Sequence, residues 1–470
     1  MNSVSIKYLV LISITLGGCS NLQEFNLNES LPKIDFKKVL PEVNFNQLFN
    51  YKEPASNENL ELTLKPFLTS SSSLISFENG NFVAIADAAM SSPEVLGARQ
   101  TVLNSEISKS YIKTQYKPNL NTVITPGISN INPLQVGALA ALNFTKILFD
   151  GGKLTNQVSS AELALTAAQL KYLESVNQQL LKNSLAIINV SRFKRINSAA
   201  NLRIEKLDVL SDQLKTMENV GAIDATTMVQ ANRTIYGLYT QKAELEESLK
   251  KSEVNFAKLF GLTPNKGLKP LKISDFSNAL ISLEIQLERI PAINNEFILL
   301  KKSHKDLAVV KAQKSHSVSL SGEIDGTLAS TKKTITPAVG LAISKNLFDG
   351  GRLDKQIESA ETQIKIQEYK LSSIIKETKL QLAQLNNQIK NYNNLKSLND
   401  KNIYYSEKEI DLLKSQVQIG RATISDIISA EARLFEFQLK SINLDTDYLI
   451  AKISLSSLSG SLMDSFDINQ

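Results

Sequence analysis

The sequence lacks most of the residues that build metal sites and nucleophilic enzymes. Its 470 residues include no tryptophan, two histidines and one cysteine, Cys19. A single cysteine excludes a disulfide within the chain and any cysteine-rich metal site. His304 and His316 have no cysteine partner, so we interpret both as surface residues. We expect neither an enzyme activity nor a cofactor.

Charge of one sign is also lacking. The chain has 52 Lys and Arg against 47 Asp and Glu, and the small surplus is spread along its length. Nucleic-acid-binding proteins concentrate basic residues on one face, so nucleic acid is not a predicted partner. Beyond the first residues, no apolar run is long enough for a transmembrane helix. If the chain crosses a membrane, it must do so with strands.

The first residues predict an export signal. Lys7 precedes a short apolar run that ends at Leu16, and two glycines and Cys19 follow. The run is too short to span a bilayer, and small residues at its end are typical of a signal peptide. Residues 16–19 (Leu-Gly-Gly-Cys) resemble the bacterial lipobox, in which the cysteine is acylated and becomes the new N-terminus. By the same resemblance, Ser20 favours sorting to the outer membrane. The alternative is a chance thiol in a signal that is discarded.

An internal duplication organises the remainder. The pentapeptide Leu-Phe-Asp-Gly-Gly occurs twice, 199 positions apart, and Gly221 and Gly420 keep the same separation. Upstream of these motifs the separation is 198. Such a constant separation indicates a repeat. The predicted segments are a signal peptide (1–18), a tether without a core of its own (19–81), repeat 1 (82–262), a linker (263–283), repeat 2 (284–462) and a tail (463–470).

Each repeat is predicted to contain a pair of strands. In residues 317–328, apolar and polar side chains alternate almost without exception, which is the period of a strand. Residues 338–344 alternate in the same way and are expected to pair with them. The equivalent strands of the first repeat are 119–128 and 136–149.

Helices surround these strands. Residues from Lys153 to about Asn219, and from Arg352 to about Val417, contain no proline or glycine, and their apolar residues fall three and four apart. Such helices would be about 100 Å long and would pack as coiled coils. The other predicted helices are one before each strand pair (93 to about 117 and 291 to about 314) and one that returns from a turn to Gly261 or Gly460.

The repeated pentapeptide is interpreted as a joint between strand and helix. The strand ends with Leu-Phe, the aspartate caps the helix, and the glycines permit the change in direction. A phosphate-binding loop does not fit, because the required earlier glycine is absent and Leu154 stands where Ser or Thr is needed. The joint residues are Phe149, Asp150, Gly151 and Gly152 in the first repeat and Phe348, Asp349, Gly350 and Gly351 in the second.

Four strands cannot close into a barrel by themselves. An open sheet edge in lipid would leave backbone groups without partners, so other subunits must complete the wall. Alternating apolar and polar faces are typical of a wall between lipid and water. The pattern predicts more than one copy without giving the number. Three copies would supply twelve strands, enough to enclose an aqueous lumen.

The duplicated order of strand pair, joint, long helix and turn resembles the TolC-like outer-membrane factors, over residues of about 82 to 462. The resemblance also rests on the turn segments 220–224 and 419–427. It implies an α+β membrane protein: a homotrimer whose twelve-stranded β-barrel continues into a periplasmic barrel of coiled-coil helices. It further implies a lipid-anchored protein of the outer membrane, in contact with its lipids.

Within that family, the helical tips meet a periplasmic adaptor that connects to an inner-membrane transporter. Gly221, Ala222, Gly420 and Arg421 occupy the tip positions here. Asp426 matches an aspartate that lines the periplasmic gate, and Ser429 stands where a second gate aspartate is often found. The alternative for Asp426 is a solvated carboxylate that suits the N-terminus of the returning helix.

Glu323 and Asp325 lie on the polar face of their strand, and the resemblance places them along the lumen. Rings of carboxylates favour cations. The alternative is that these residues only keep the wall hydrated.

The predicted function is a passive exit duct of an efflux pump or a type I secretion system, and the sequence does not choose a cargo. The rival from another class is a structural lipoprotein that forms a periplasmic coiled-coil spacer. That rival accounts for Cys19 and the helices but not for the four strands.

Overall fold

The computed structural model of the protein describes residues 75, 77, 80–129, 135–264, 268–272, 287, 290–328 and 335–466. All of them belong to a unit that begins at Ser72. Cys19 and most of the predicted tether and linker lie outside the described residues.

Four strands form one antiparallel sheet in chain order, which confirms the predicted strand pairs. The first and last pairings are hairpins within a repeat, and the central pairing joins the two repeats. Within the described residues, the first and last strands have no partner on their outer sides. The strands are β1 (Asn119–Ser129), β2 (Gln135–Phe149), β3 (Ser317–Leu328) and β4 (Ile335–Ser344).

Apart from α1, which was not predicted from the sequence, the helices follow the predicted order. None of those described is both long and apolar enough to cross a bilayer. The two longest contain no proline or glycine, the residues that most strongly interrupt a helix. The helices are α1 (Asn81–Met90), α2 (Pro93–Thr114), α3 (Lys153–Asn219), α4 (Ala225–Phe260), α5 (Pro291–Ala312), α6 (Arg352–Gln418) and α7 (Ile424–Ser459), followed by a 3-10 turn (Met463–Phe466).

The two repeats are equivalent at the level of single residues. The long helices α3 and α6 both have 67 residues, α4 and α7 both have 36, and α2 and α5 both have 22. The hairpins also share a register: Asn119 pairs with Thr145, and their equivalents Ser317 and Ser344 pair with each other. The second hairpin therefore has the one extra residue between its two strands, and the predicted repeat is confirmed.

One predicted strand end is wrong. The sequence predicts that the second strand of each repeat ends with Leu-Phe, and β2 does end at Phe149. β4 ends at Ser344, and Leu347 and Phe348 are each 88% exposed. The difference follows from neighbours, because the end of β2 is paired with β3 whereas β4 has no described strand on its other side.

The helices pack side by side in two tiers. Near the sheet, α2 packs on α3, α3 on α5 and α5 on α6. Toward the turns, α4 packs on α3, α3 on α7 and α7 on α6. Because α3 is enclosed in both tiers and α6 stands at one side in both, α3 buries many more residues than its equivalent.

The largest hydrophobic core lies at mid-height of α3. Leu180 is fully buried there, together with Phe256 and Phe260, whose rings stack at 4.5 Å. Phe77, from the segment predicted as a tether, stacks on Phe256 at 5.7 Å. Burying side chains of this size contributes roughly 1.5–3 kcal/mol each to folding. A second core nearer the turns joins α3, α4 and α7 through Leu207, Ile235, Ile428 and Phe435, among others.

A buried ion pair joins the repeats inside that second region. The Arg203 guanidinium of α3 contacts the Glu431 carboxylate of α7, and its Nη2 donates to Gln438 Oε1 at 3.0 Å. Both charged side chains are almost completely buried, and burial lowers the pKa of Arg203. Removing one partner of such a pair leaves an uncompensated charge in the interior, which is much more costly than removing both.

We therefore expect Glu431→Leu to destabilise the helical part by about 3–5 kcal/mol, and Arg203→Met/Glu431→Leu to recover most of that loss. Urea unfolding followed by circular dichroism measures both effects. The exposed pair Arg433–Glu409, with an N–O distance of 2.7 Å, is the matched control, and Glu409→Leu should cost less than about 1 kcal/mol. Equal losses for both single variants would contradict the prediction.

Candidate functional site

The strand-to-helix joints have the same geometry in both repeats. Asp150 accepts hydrogen bonds from Gly152 N at 3.0 Å and Leu154 N at 2.6 Å. The equivalent carboxylate, Asp349, accepts hydrogen bonds from Gly351 N and Leu353 N at 3.0 Å each. Each carboxylate thus satisfies an amide of the first helical turn that has no partner within the helix.

Both glycines of each joint adopt positive φ, between 67° and 85°. Side chains with a Cβ rarely adopt this conformation, so the reversal from strand to helix favours glycine. The surroundings of the two joints differ. A Cβ on Gly151 would lie 2.3 Å from Ser315 Cβ and 3.0 Å from Ala312 O, whereas a Cβ on Gly350 would meet nothing within 4 Å.

The phenylalanines that precede the joints differ in the same way. The Phe149 ring lies 5.0 Å from the His316 ring and is 45% exposed. Phe348 is almost fully exposed, so the described residues enclose the first joint and leave the second one open. Sequence reasoning missed this asymmetry, because equivalent residues give no sign of which repeat is enclosed.

The tip turns are also equivalent. Gly221 and Gly420 have φ values of 67° and 73°. In each turn the amide after the glycine closes a hydrogen bond of 2.8 Å back to the helix, from Ala222 to Met217 O and from Arg421 to Gln416 O. This glycine-centred arrangement satisfies the last carbonyls of the helix and reverses the chain. Both tips are exposed to solvent.

The helices that return from the tips are capped by an aspartate and a threonine whose positions are exchanged. In the first tip, Asp224 is the N-cap residue, and Thr227 donates its amide at 2.9 Å and its hydroxyl at 2.7 Å to that carboxylate. In the second, Thr423 is the N-cap residue and donates its amide at 2.8 Å and its hydroxyl at 2.7 Å to Asp426. Aligning the two repeats would have revealed this exchange.

The predicted gate residues occupy the first turns of α7. Asp426 is exposed, and one of its oxygens already accepts the two bonds from Thr423. Ser429, one turn later, is half-buried. The Asp426 carboxylate therefore helps to cap α7 together with Thr423. The sequence indicated only that a carboxylate suits the N-terminus of this helix. The role of Asp426 in a gate stays a prediction.

The register of the sheet separates two faces. Glu323 lies opposite Asn143 on one side and Ala338 on the other, and Asn143 lies opposite Asn121. Asp325 occupies the same face one pleat away. The other face carries mainly apolar residues; for example, Phe144 and Leu142 lie beside Gly322 and Ile324. The sheet thus presents one polar face, which includes both carboxylates, and one apolar face.

The described residues contain no group of three or more His, Cys, Asp or Glu side chains arranged to hold a metal ion. Cys19 lies outside them, so its lipidation stays a prediction.

We expect the first tip to loosen in acid. The hydroxyl and amide of Thr227 donate to Asp224 and hold the pKa of that carboxyl below its ordinary value. Such a shift stabilises the tip above the ordinary carboxyl pKa of about 4, and the stabilisation is lost as pH falls through the lower folded value. Thr227→Val should move the loss of amide protection at the tip to higher pH.

Hydrogen exchange followed by mass spectrometry measures that protection, after correction for the intrinsic rate at each pH. Thr226→Val is the matched control, since Thr226 uses only its backbone amide toward Asp224, at 2.8 Å. A single pH dependence shared by the wild type and both variants would show that the Thr227 hydroxyl does not lower the pKa of Asp224.

Known proteins share this architecture. Residues 300–461 match the family model described as outer membrane efflux protein. The outer membrane efflux protein BepC of Brucella suis biovar 1 is 20% identical over 380 residues, which cover 77% of this chain and 80% of that protein.

Among solved structures, the outer membrane protein VceC of Vibrio cholerae has a TM-score of 0.72 at 17% identity, covering 81% of this chain and 96% of its own. The MtrE outer membrane channel of Neisseria gonorrhoeae has a TM-score of 0.67 at 14% identity, covering 81% and 89%. The chain therefore has the fold of these outer-membrane channels, and its second repeat contains the residues that match the outer membrane efflux protein model.

Proposed function

We propose that this chain is one of three identical subunits of an exit duct in the bacterial outer membrane. The duct is passive: it conducts cargo from the periplasm to the exterior and catalyses no reaction. The observation that carries this proposal is a sheet with one polar face, one apolar face and two edges that no described strand covers, joined directly to two 67-residue helices.

The two faces suit a wall between lipid and water. Lipid provides no hydrogen bonds to a backbone, so a spanning sheet must be closed, with its apolar face outward and its polar face toward the lumen. The outer edges of β1 and β4 supply the unpaired backbone groups that closure would use. Three copies would supply twelve strands, a number compatible with a water-filled lumen.

The helices support the same assembly. One side of the subunit ends in α6 in both tiers, and the other side ends in α2 near the sheet and α4 near the tips. Large apolar residues are exposed on these outer helices, including Leu103 and Tyr111 on α2 and Tyr369 and Leu380 on α6. Water-exposed apolar surface of this extent marks an interaction site.

The tips are the proposed contact with a periplasmic adaptor, through which an inner-membrane transporter supplies energy. Gly221, Ala222, Gly420 and Arg421 form the exposed ends of the two helical hairpins, and Asp426 and Ser429 follow just inside. The position of Asp426 fits a gate at this end. Both an efflux pump and a type I secretion system fit a duct of this kind.

A periplasmic spacer without channel activity is the alternative from another class. Long coiled-coil helices would serve a spacer equally well. A two-faced sheet with exposed apolar residues such as Leu341 and Ile343 would serve no purpose in it and would expose apolar surface to water. The sheet therefore favours the duct.

Reconstitution in planar bilayers tests the proposal. The purified protein should form ion-conducting channels, and Glu323→Gln/Asp325→Asn should reduce the preference for cations, measured as a reversal potential closer to zero in a salt gradient. Asn143→Ala changes the same polar face without changing charge and should leave the reversal potential unaltered. Protein that is folded and membrane-associated but never conducts would favour the spacer.

Export in cells tests the tip. Gly420→Ala and Gly420→Trp both place a Cβ at positive φ, so both strain the backbone of the turn. Only tryptophan also adds a large side chain to the exposed turn. We expect Gly420→Trp to reduce export and adaptor co-purification several-fold relative to Gly420→Ala, while both variants keep the wild-type assembly on native gels. Equal export by the two variants would exclude this tip as the docking surface.

A further inference from the structure

The charged residues of the sheet are divided between its two faces by sign. Within the four described strands, the charged residues are Lys146, Glu323 and Asp325. Both carboxylates belong to the polar face. Lys146 lies opposite Leu320 and shares the apolar face with Phe144. The one charge that these strands place on the apolar face is therefore a cation, at the end of the face that leads to the helices.

The second repeat has a lysine in the equivalent place. Lys345 follows Lys146 by 199 positions, the same separation as the two joints. It comes directly after β4, in which Leu341 and Ile343 belong to the apolar face. The period of two that places these residues on one face reaches Lys345 next. In both repeats a lysine thus ends the apolar side of the strand that leads to the long helix.

The described residues supply neither lysine with a partner. Neither the Lys146 nor the Lys345 ammonium group forms an ion pair or a hydrogen bond within that part of the chain. The carboxylates nearest to them in sequence, Asp150 and Asp349, accept hydrogen bonds from the backbone amides of the joints. Lys146 is half-buried and Lys345 is exposed. Both ammonium groups are therefore available to an anion from outside the chain.

The height of Lys146 on the sheet matches the boundary of a hydrocarbon layer. The backbone of β2 rises about 36 Å from Gln135 to Lys146, at about 3.3 Å per residue. Strands of transmembrane barrels tilt by about 40°, so this length spans about 28 Å of height, and the apolar band of such barrels is about 25 Å tall. Lys146 then lies at one boundary of the band when the beginning of β2 lies at the other.

Aromatic residues mark the same boundary. Beyond Lys146, Phe149 aligns with Val318, and its ring is 45% exposed and lies 5.0 Å from the His316 ring. Girdles of aromatic residues flank the apolar band of transmembrane barrels where the hydrocarbon meets the headgroups. Lys146 and Phe149 therefore place the headgroup layer at the first joint by two separate signals.

We propose that Lys146 and Lys345 bind the phosphate groups of anionic phospholipids in the periplasmic leaflet of the outer membrane. This inference rests on the proposed duct, because it requires the apolar face to meet lipid, and it adds the class of lipid. A lysine can lay its apolar stem along an apolar surface and extend its ammonium group to the headgroups. An anionic headgroup is preferred over a zwitterionic one, since the latter carries a cation that offsets its phosphate.

A membrane lipid fits this position better than a dissolved cargo does. In the proposed duct the cargo passes along the polar face, where Glu323 and Asp325 lie. The two lysines belong to the other face, and basic residues beside an anionic membrane surface are attracted to it. The sheet therefore has a separate charge for each of its two surroundings.

Lipid selectivity in a bilayer tests the proposal. The full chain is reconstituted in phosphatidylcholine vesicles with a trace of spin-labelled phosphatidylglycerol or spin-labelled phosphatidylcholine. The motionally restricted fraction of the electron paramagnetic resonance spectrum measures the association of each lipid with the protein. We expect the wild type to prefer phosphatidylglycerol several-fold, and Lys146→Gln/Lys345→Gln to bring the two lipids close to equal association.

Two further variants control for net charge and for side-chain shape. Lys250→Gln/Lys401→Gln removes the same charge from exposed positions on α4 and α6, away from the sheet, and should keep the wild-type preference. Lys146→Arg/Lys345→Arg keeps the positive charge at the proposed site and should also keep the preference. A preference that falls equally in Lys250→Gln/Lys401→Gln would overturn the proposal, because net charge alone would then account for it.

The solution conditions separate a lipid from a dissolved anion. Raising the salt concentration to about 1 M, where the Debye length is about 3 Å, should weaken the wild-type preference. Inorganic phosphate that replaces chloride at the same ionic strength should leave the preference unchanged. Its loss in inorganic phosphate would show that the lysines bind a free anion, and would overturn the assignment to lipid.

The conductance of the same preparations reports on the duct separately. A protein that conducts but does not distinguish the two lipids would overturn the lipid site and leave the proposed function intact. A protein that neither conducts nor restricts either spin-labelled lipid would overturn both.

Discussion

The hydrogen bonds between β2 and β3 are the constraint on which the rest of the structure depends. They are the only described strand pairing between the repeats, and they fix the register of the whole sheet. A shift by one residue would send the side chains of one repeat to the opposite face. The polar row around Asn143 and Glu323, and the approach of Ser315 to Gly151, both depend on that register.

Because the chain is an internal duplication, the contacts between its two repeats indicate which contacts two copies could make in the proposed assembly. In the proposed assembly, each kind of contact near the sheet is needed at two places, once between the repeats and once between copies. The duplicated positions have since diverged. Ser160 donates a hydrogen bond to Asp306 inside the chain, whereas the equivalent positions, Ser359 and Ser108, both carry serine and are exposed. The exchange of aspartate and threonine between the tips shows the same freedom, because either order supplies a carboxylate and a hydroxyl to one helix start.

Much of the fold could be predicted from sequence because its signals are local. The 67-residue helices lack proline and glycine, β3 alternates almost without exception, and the pentapeptide marks both joints. The end of β4, the burial of Arg203 against Glu431 and the open surroundings of Gly350 could not be predicted. Each depends on which elements become neighbours in space, and two equivalent sequence positions give no sign of which is enclosed. The glycine turns at the tips could be predicted from the sequence, whereas their contact with an adaptor is implied by the resemblance alone. Their hydrogen bonds became visible only in the structure.

The exposed edge of β4 has a consequence for the life of a newly made subunit. In the proposed assembly another chain covers this edge. Until then the edge of β4 presents unpaired backbone, and Leu347 and Phe348 just beyond its end present two large apolar side chains, a combination that promotes indiscriminate aggregation. An unassembled chain is therefore prone to aggregate, and the risk grows with the time before it meets another copy. Synthesis at low concentration would lengthen that interval, so the protein's yield should depend on the timing of encounters as much as on its own stability.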